Sequence, residues 1–352
     1  MNVRGLLLGS AAALVAASGA HAADAIVIAE AEPMDYVRIC DMYGAGFFYI
    51  PGTETCLQIG GYMRYSMLYG SDDWVGGSYR FSKFARFQLA LDARNETEWG
   101  TLRSYAEGRW EWFSQTWDGP FAFGAANDAY LNQGFIELQS GMGTLRIGKS
   151  DNPYARFFEY YGADGELDGD YGGQIYNSGE ISYTFAPGNG FQAVIAAIEP
   201  GTGQFEPNIE AGAIYEGDWG AIGAIAGYDM PDDSWGAKAV ARVDFDPVSL
   251  GVHVLYSSSE SGVYGAVNPV SGETSQWSVL AHAGVQVSEK ISVNGYFQWF
   301  DETTSGPNAW AAKGGLGLTP VDGLEIRPEV RYTKASGIDG SWEGLLQFTR
   351  SF

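Results

Sequence analysis

Arg80-Phe-Ser-Lys-Phe-Ala-Arg-Phe-Gln-Leu-Ala-Leu-Asp-Ala-Arg94 alternates along its whole length. The odd positions read Phe81, Lys83, Ala85, Phe87, Leu89, Leu91 and Ala93. The even positions read Arg80, Ser82, Phe84, Arg86, Gln88, Ala90, Asp92 and Arg94. One face is nearly apolar and the other charged. A repeat of two is the strand period, because successive side chains on extended backbone point to opposite faces.

The pattern recurs to the end of the chain. Leu57, Ile59, Met63, Tyr65, Met67 and Tyr69 oppose Gln58, Arg64 and Ser66; Leu102, Ala106, Trp110 and Trp112 oppose Arg103, Glu107, Arg109 and Glu111. Leu324, Ile326, Val330 and Tyr332 oppose Arg327, Glu329, Arg331 and Thr333. About sixteen such segments are present, many near the 9 to 11 residues that a tilted membrane strand needs. Residues 191–228 are the hardest to assign, since their Ala- and Gly-rich faces look alike. Short connections fall near Asn95–Gly100, Ser140–Gly143, Ala186–Gly190, Gly217–Gly220, Asp246–Val248, Ser288–Lys290 and Thr319–Gly323. They alternate with longer ones near 70–79, 113–128, 149–178, 199–207, 229–234, 257–275, 301–308 and 334–341. Turns at one end and loops at the other predict an all-β fold, a transmembrane antiparallel up-and-down β-barrel; a sandwich does not sort its connections this way.

Composition agrees. The 352 residues include 49 Gly, 11 Trp, 21 Tyr and 19 Phe, with a formal net charge of -23. The acid excess excludes a general nucleic-acid binder. With 3 His and 2 Cys there is little for a structural zinc site, and no cofactor is expected. Aromatics near strand ends (Tyr69, Trp74, Trp110, Trp112, Trp117, Trp299, Trp310, Trp342) suit girdles between lipid and water. At the N-terminus, Arg4, the apolar run Leu6–Ala17 and Ala20-His21-Ala22 read as a signal peptide over residues 1–22, cleaved after Ala22. Residues 23–352 are then a single barrel domain, with 23–55 preceding the first clear strand. The role of Asp24–Arg38 stays open. Phe352, directly after an alternating strand, is the kind of terminus that the outer-membrane assembly machinery reads.

Several stretches carry a resemblance. Tyr36-Val-Arg-Ile-Cys-Asp-Met-Tyr-Gly-Ala-Gly-Phe-Phe-Tyr-Ile-Pro-Gly-Thr-Glu-Thr-Cys-Leu-Gln-Ile-Gly-Gly-Tyr62 resembles the opening of the alphaproteobacterial, rhizobial-type general porins. Gly179-Glu-Ile-Ser-Tyr-Thr-Phe185, Pro328-Glu-Val-Arg-Tyr-Thr-Lys334 and the ending Gln347-Phe-Thr-Arg-Ser-Phe352 resemble the same family. The resemblance implies a sixteen-stranded homotrimer in the Gram-negative outer membrane, among lipid and lipopolysaccharide, passing small hydrophilic solutes and ions.

A barrel this wide is not closed by its own wall side chains, so something must fold inward. The longest connection, 150–178, is the candidate constriction loop. It follows the fifth strand, Gly143–Gly148, and carries Asp151, Glu159, Asp164, Glu166, Asp168 and Asp170 against Arg156. Its aromatics Tyr154, Phe157, Phe158, Tyr160, Tyr161 and Tyr171 could pin it to the wall. A solvated acidic loop is the plainer alternative. Parity places Arg64, Arg86, Arg94, Arg103 and Arg109 on inward faces, with Arg80 and Arg146 as additions; the plainer reading pairs them with Asp92, Glu107 or Glu111. Together they predict a field across the pore. Cys40 and Cys56 are the only cysteines, and in an exported chain a disulfide between them is expected, two buried thiols being the alternative. A barrel enzyme would need a nucleophile with His or paired carboxylates, and His253 and His282 are single residues on strand faces. A structural or adhesive barrel would need a plug, and a sugar-specific channel an aromatic slide in the lumen.

Overall fold

Among the described residues, seventeen strands form one sheet. The computed structural model describes residues 38–72, 78–115, 126–158, 167–173, 177–201 and 206–352. Within the compact unit Ile39–Phe352, the strands are β1 (Phe47–Tyr49), β2 (Cys56–Asp72), β3 (Ser78–Thr97), β4 (Gly100–Gln115), β5 (Ala126–Ser140) and β6 (Gly143–Asp151). There follow β7 (Asn177–Phe185), β8 (Phe191–Ile198), β9 (Asn208–Gly217), β10 (Gly220–Asp229), β11 (Ser234–Phe245) and β12 (Val248–Ser257). The last five are β13 (Trp277–Ser288), β14 (Ile291–Phe300), β15 (Ala309–Val321), β16 (Leu324–Ala335) and β17 (Ile338–Ser351). From β2 onward each strand pairs antiparallel with the next, and β17 pairs back onto β2 with Phe348 opposite Tyr65. Sixteen strands thus close a ring with no free edge, which is what backbone N–H and C=O groups require where no water reaches them.

Burial is inverted relative to a water-soluble protein. Ile59, Met63, Leu91, Ile136, Ile147, Ile181, Ile195, Ile222 and Phe297 are exposed on the outer face, while Asp92, Glu107, Glu137, Glu180, Glu210, Lys238, Gln298 and Glu329 are buried inside. Alternation that hides polar groups and shows apolar ones fits a wall with lipid outside and water within. At the ends that carry the longer loops, Trp235, Tyr256 and Trp277 pack in a row, tilted and edge-on, with centroids 4.8 Å apart, and Trp310, Tyr332 and Trp342 form a second row. Trp74 and Trp117 lie outside the described residues.

Two expected loops are turns. β16 and β17 are joined by Ser336-Gly337 alone, where 334–341 reads as a longer connection, and Gly337 takes φ 76°, a left-handed conformation that favours glycine. Residues 230–233 are likewise tight. The ladder continues further into both connections than the apolar alternation does. The wall is also uneven: β2, β3 and β4 run 17, 20 and 16 residues, against 8 and 10 in β8 and β9.

Cys40 and Cys56 are disulfide-bonded. β1 pairs with the start of β2, Phe47 opposite Gln58, beside β2 and just past the end of β17. The proposed signal peptide and Asp24–Val37 lie outside the described residues.

Candidate pore constriction

The connection from β6 to β7 turns into the barrel. Asn152 starts it by accepting the Ala155 N–H at 3.0 Å, with Pro153 opening the helical turn α1 (Pro153–Arg156). Tyr154 and Phe158 then pack on Val194, Ile214, Ile225 and Val240, an apolar patch on the inner face of β8 to β11, together with Tyr264 from the connection between β12 and β13. Small wall residues make the room. A Cβ on Gly227 would stand 2.4 Å from the Tyr264 ring, and one on Gly223 2.6 Å from Phe158.

Two buried charges fix this root. Glu210 on β9 accepts hydrogen bonds from the Tyr154 N–H and Asn152 Nδ2, both at 2.8 Å, and from the Tyr264 hydroxyl at 3.0 Å. Lys238 on β11 donates to the carbonyls of Tyr154 at 2.6 Å and Tyr171 at 3.1 Å, so one ammonium holds both limbs of the loop. Further on, Gln298 of β14 accepts from the Asp170 N–H and donates to its carbonyl, both at 2.7 Å. The Tyr296 hydroxyl donates to the carbonyls of Leu167 and Asp168. Tyr171 packs on Leu280 and sits edge-on to His253. The described parts of the loop are therefore bound to inward side chains from β9 around to β15.

The loop carboxylates divide. Asp151 belongs to β6, which runs three residues past its expected end; it shares the alternation of the outward Leu145 and Ile147, and its oxygens take Asn177 Nδ2 at 2.9 Å and Gln133 Nε2 at 3.5 Å. It braces the loop's root and is not displayed by the loop. Asp168 is paired with Lys313 at 2.9 Å. Asp170 spends both oxygens on the N–H groups of Gly172 and Val267, each at 2.7 Å; burial pushes its carboxyl above the usual carboxylate range, those N–H groups offsetting only part of the rise. Glu159, Asp164 and Glu166 lie outside the described residues.

The arginines form a connected series. Arg94 and Arg103 share Asp92 at 2.7 and 2.9 Å; Arg103 and Arg146 share Glu137 at 2.8 and 2.7 Å; Arg146 and Arg156 converge on Glu180 at 3.8 and 2.9 Å. Arg86 pairs with Glu111 at 2.5 Å and Arg109 with Glu107 at 3.2 Å. Arg64 lies over the Tyr62 ring, opposite Arg86 in the ladder. Cation and carboxylate thus alternate across β3 to β7. Glu137, Glu180, Glu210, Lys238 and Lys313 stand at inward positions that sequence reading did not single out, although Glu137 between Ile136 and Leu138 follows the same parity.

Filling the groove over Gly227 tests the root directly. Gly227→Ala is expected to displace Tyr264 and cost about 1–3 kcal/mol, the usual range for overpacking, while the barrel still assembles. In single-channel records this predicts noisier openings; quiet openings identical to wild type would contradict it.

The family comparison decides what such a barrel is. The Porin subfamily model matches residues 24–343. This chain belongs to the porin family. The porin is 37% identical over 384 residues to Porin Omp2b of Brucella canis, and 37% identical over 385 residues to that of Brucella abortus strain 2308, each match covering all of both chains. Among solved structures it resembles a triple mutant of the Rhodopseudomonas blastica porin (TM-score 0.61, 15% identity, 84% of this porin and 100% of that chain). It also resembles the anion-selective porin from Comamonas acidovorans (TM-score 0.62, 13% identity, 85% and 100%). The porin is an outer-membrane channel protein, and its closed sixteen-strand ring is the fold those structures share.

Proposed function

We propose that this porin is a water-filled passive channel for small hydrophilic solutes and ions. Its narrowest level lies between the loop on the β8 to β15 side and the arginine series on the β3 to β7 side. The observation that carries the reading is the loop's attachment to inward side chains of one part of the ring while the arginines occupy another. Arg64, Arg86, Arg94, Arg103 and Arg109 supply the positive side of a transverse field. Asp168, with Glu159, Asp164 and Glu166, supplies the negative side; Asp151 and Asp170 serve as braces. A dipolar solute aligns in that field and polar wall groups replace part of its hydration, with no covalent step. Liposome swelling with sugars of graded size tests this: a smooth fall with size supports a general pore, and impermeability to all of them sinks it.

A weak cation preference is expected, because wall carboxylates already offset most of the arginines. Asp168→Asn together with neutralisation of Glu159, Asp164 and Glu166 should move reversal potentials in a salt gradient toward anions; no movement would place these residues away from the ion path. The full reading includes export through residues 1–22, a homotrimer among lipid and lipopolysaccharide, and assembly through Phe352. A substrate-specific channel is the second reading. A lumenal cavity of about 500 Å³ between the loop and β14 to β17, lined by Tyr296, Phe300, Arg331 and Glu343, favours it. One sugar with saturable, outlying uptake would decide for that reading.

A further inference from the structure

The disulfide-closed segment Cys40–Cys56 has no part in the constriction, yet its strand β1 extends the wall beside β2 and turns rings toward the lumen. Ile39 bridges to Phe48, the Cys40 N–H donates to the Phe47 carbonyl at 3.0 Å, and β1 pairs with Cys56–Gln58. Phe47 lies opposite Gln58, whose parity is that of the inward Arg64 and Ser66, so Phe47 faces the lumen. The Arg94 guanidinium stands 5.1 Å from the Phe47 ring and 5.7 Å from the Tyr43 ring. The Tyr43 hydroxyl donates to Glu96 at 2.8 Å, beside the tight β3–β4 turn, and Gln58 Nε2 donates to the Ala45 carbonyl at 3.1 Å. Cys40, Phe47 and Cys56 are buried together. At the end of the barrel that carries the short turns, β2 and β3 are therefore flanked on their inner side by the Tyr43 and Phe47 rings.

We propose that this segment is a collar, a second narrowing of the channel at its turn-side mouth, with Tyr43 and Phe47 as its inward rings and the Cys40–Cys56 bridge as the staple that holds them there. In an outer-membrane barrel the short turns face the periplasm, so the collar limits what enters or leaves on that side. The cation–π contacts tie it to Arg94, the terminal member of the arginine series. The inference rests on the channel reading above.

The test is one-sided polymer exclusion in planar bilayers. Polyethylene glycols of graded size are added to one compartment, and the size at which conductance recovers is read. In the variant carrying Tyr43→Ala and Phe47→Ala, larger polymers should enter from the turn side while the loop-side cut-off stays at its wild-type value, and conductance should rise. The double variant Cys40→Ser, Cys56→Ser should move the same way. Reducing the bridge in wild-type channels already inserted, with thiol labelling to prove reduction, gives the comparison without a folding step. Equal cut-offs from both sides before and after these changes, in channels that still open, would overturn the collar. Wild-type protein that forms no channels would instead overturn the channel reading.

Discussion

Replacing Lys238 with Met should loosen the constriction loop without unfolding the barrel. The ammonium is the donor shared by the Tyr154 and Tyr171 carbonyls, which belong to the two limbs of the loop. Met keeps the volume of the stem and supplies no donor, so two buried acceptors go unsatisfied at about 1–3 kcal/mol each. At 1.4 kcal/mol per tenfold, the docked-to-undocked ratio falls by roughly 30-fold or more. The aromatic seat of Tyr154 and Phe158 remains, so release is partial and fluctuating. Single-channel records should show higher mean conductance, more open-channel noise and closure at lower voltage. The heat resistance of the folded barrel in detergent should hardly change, because the ring of backbone pairs is untouched. Glu210→Gln should act in the same direction more weakly: one carboxylate oxygen becomes an amide donor facing the Tyr154 N–H, and the other acceptor survives. Records of Lys238→Met that match wild type in step size and noise would show that the loop is held by its rings alone.

That root is also where the sequence is least readable. Alternation identifies a membrane strand because one face meets lipid and the other meets water. In β8 to β10 the inner face carries Val194, Ala196, Ile198, Ile214 and Ile225, all buried, since Tyr154, Phe158 and Tyr264 cover part of it. With both faces apolar the period-2 contrast disappears, and residues 191–228 resist assignment. The loss of contrast marks the docking ground of the loop. In Arg80–Arg94 the contrast survives, Lys83 and Phe84 apart, because Arg86, Gln88, Asp92 and Arg94 line the inner face there. Parity accordingly puts Arg86, Arg94, Arg103 and Arg109 on the inner wall; Arg86–Glu111 and Arg103–Asp92 then pair across strands, and Arg94–Asp92 and Arg109–Glu107 pair two residues apart on one strand. What parity does not convey is register between distant strands. Gln298 meets Asp170, and Lys313 meets Asp168, across more than a hundred residues of chain. Nor does it show that Asp151 is still in the ladder, since a carboxylate at a strand end looks the same in either state.

Arg103→Gln should shift ion selectivity more than any other single change on the arginine wall. Arg103 bonds two carboxylates which each keep a second arginine: Asp92 keeps Arg94 and Glu137 keeps Arg146, whereas Arg146, placed likewise between Glu137 and Glu180, makes its second contact only at 3.8 Å. Loss of Arg103 therefore leaves the neighbouring geometry supported and adds one net negative charge to the lumen. A unit charge 5–8 Å from a passing ion in water is worth about 0.5–0.8 kcal/mol, favourable to a cation and unfavourable to an anion, which corresponds to a roughly five- to fifteenfold rise in cation over anion permeability. Salt decides whether the effect is electrostatic: with a Debye length of about 10 Å at 0.1 M and 3 Å at 1 M, the shift should be large in dilute gradients and nearly vanish in concentrated ones. The stability cost should fall well below the 3–5 kcal/mol of a sealed ion pair, because the Arg103 side chain keeps 17% of its surface in water. A reversal potential that stays put at low salt, in channels of normal conductance, would place the series outside the path of the ions. The charge alternation across β3 to β7 would then be scaffolding for the wall, and selectivity would have to come from the loop.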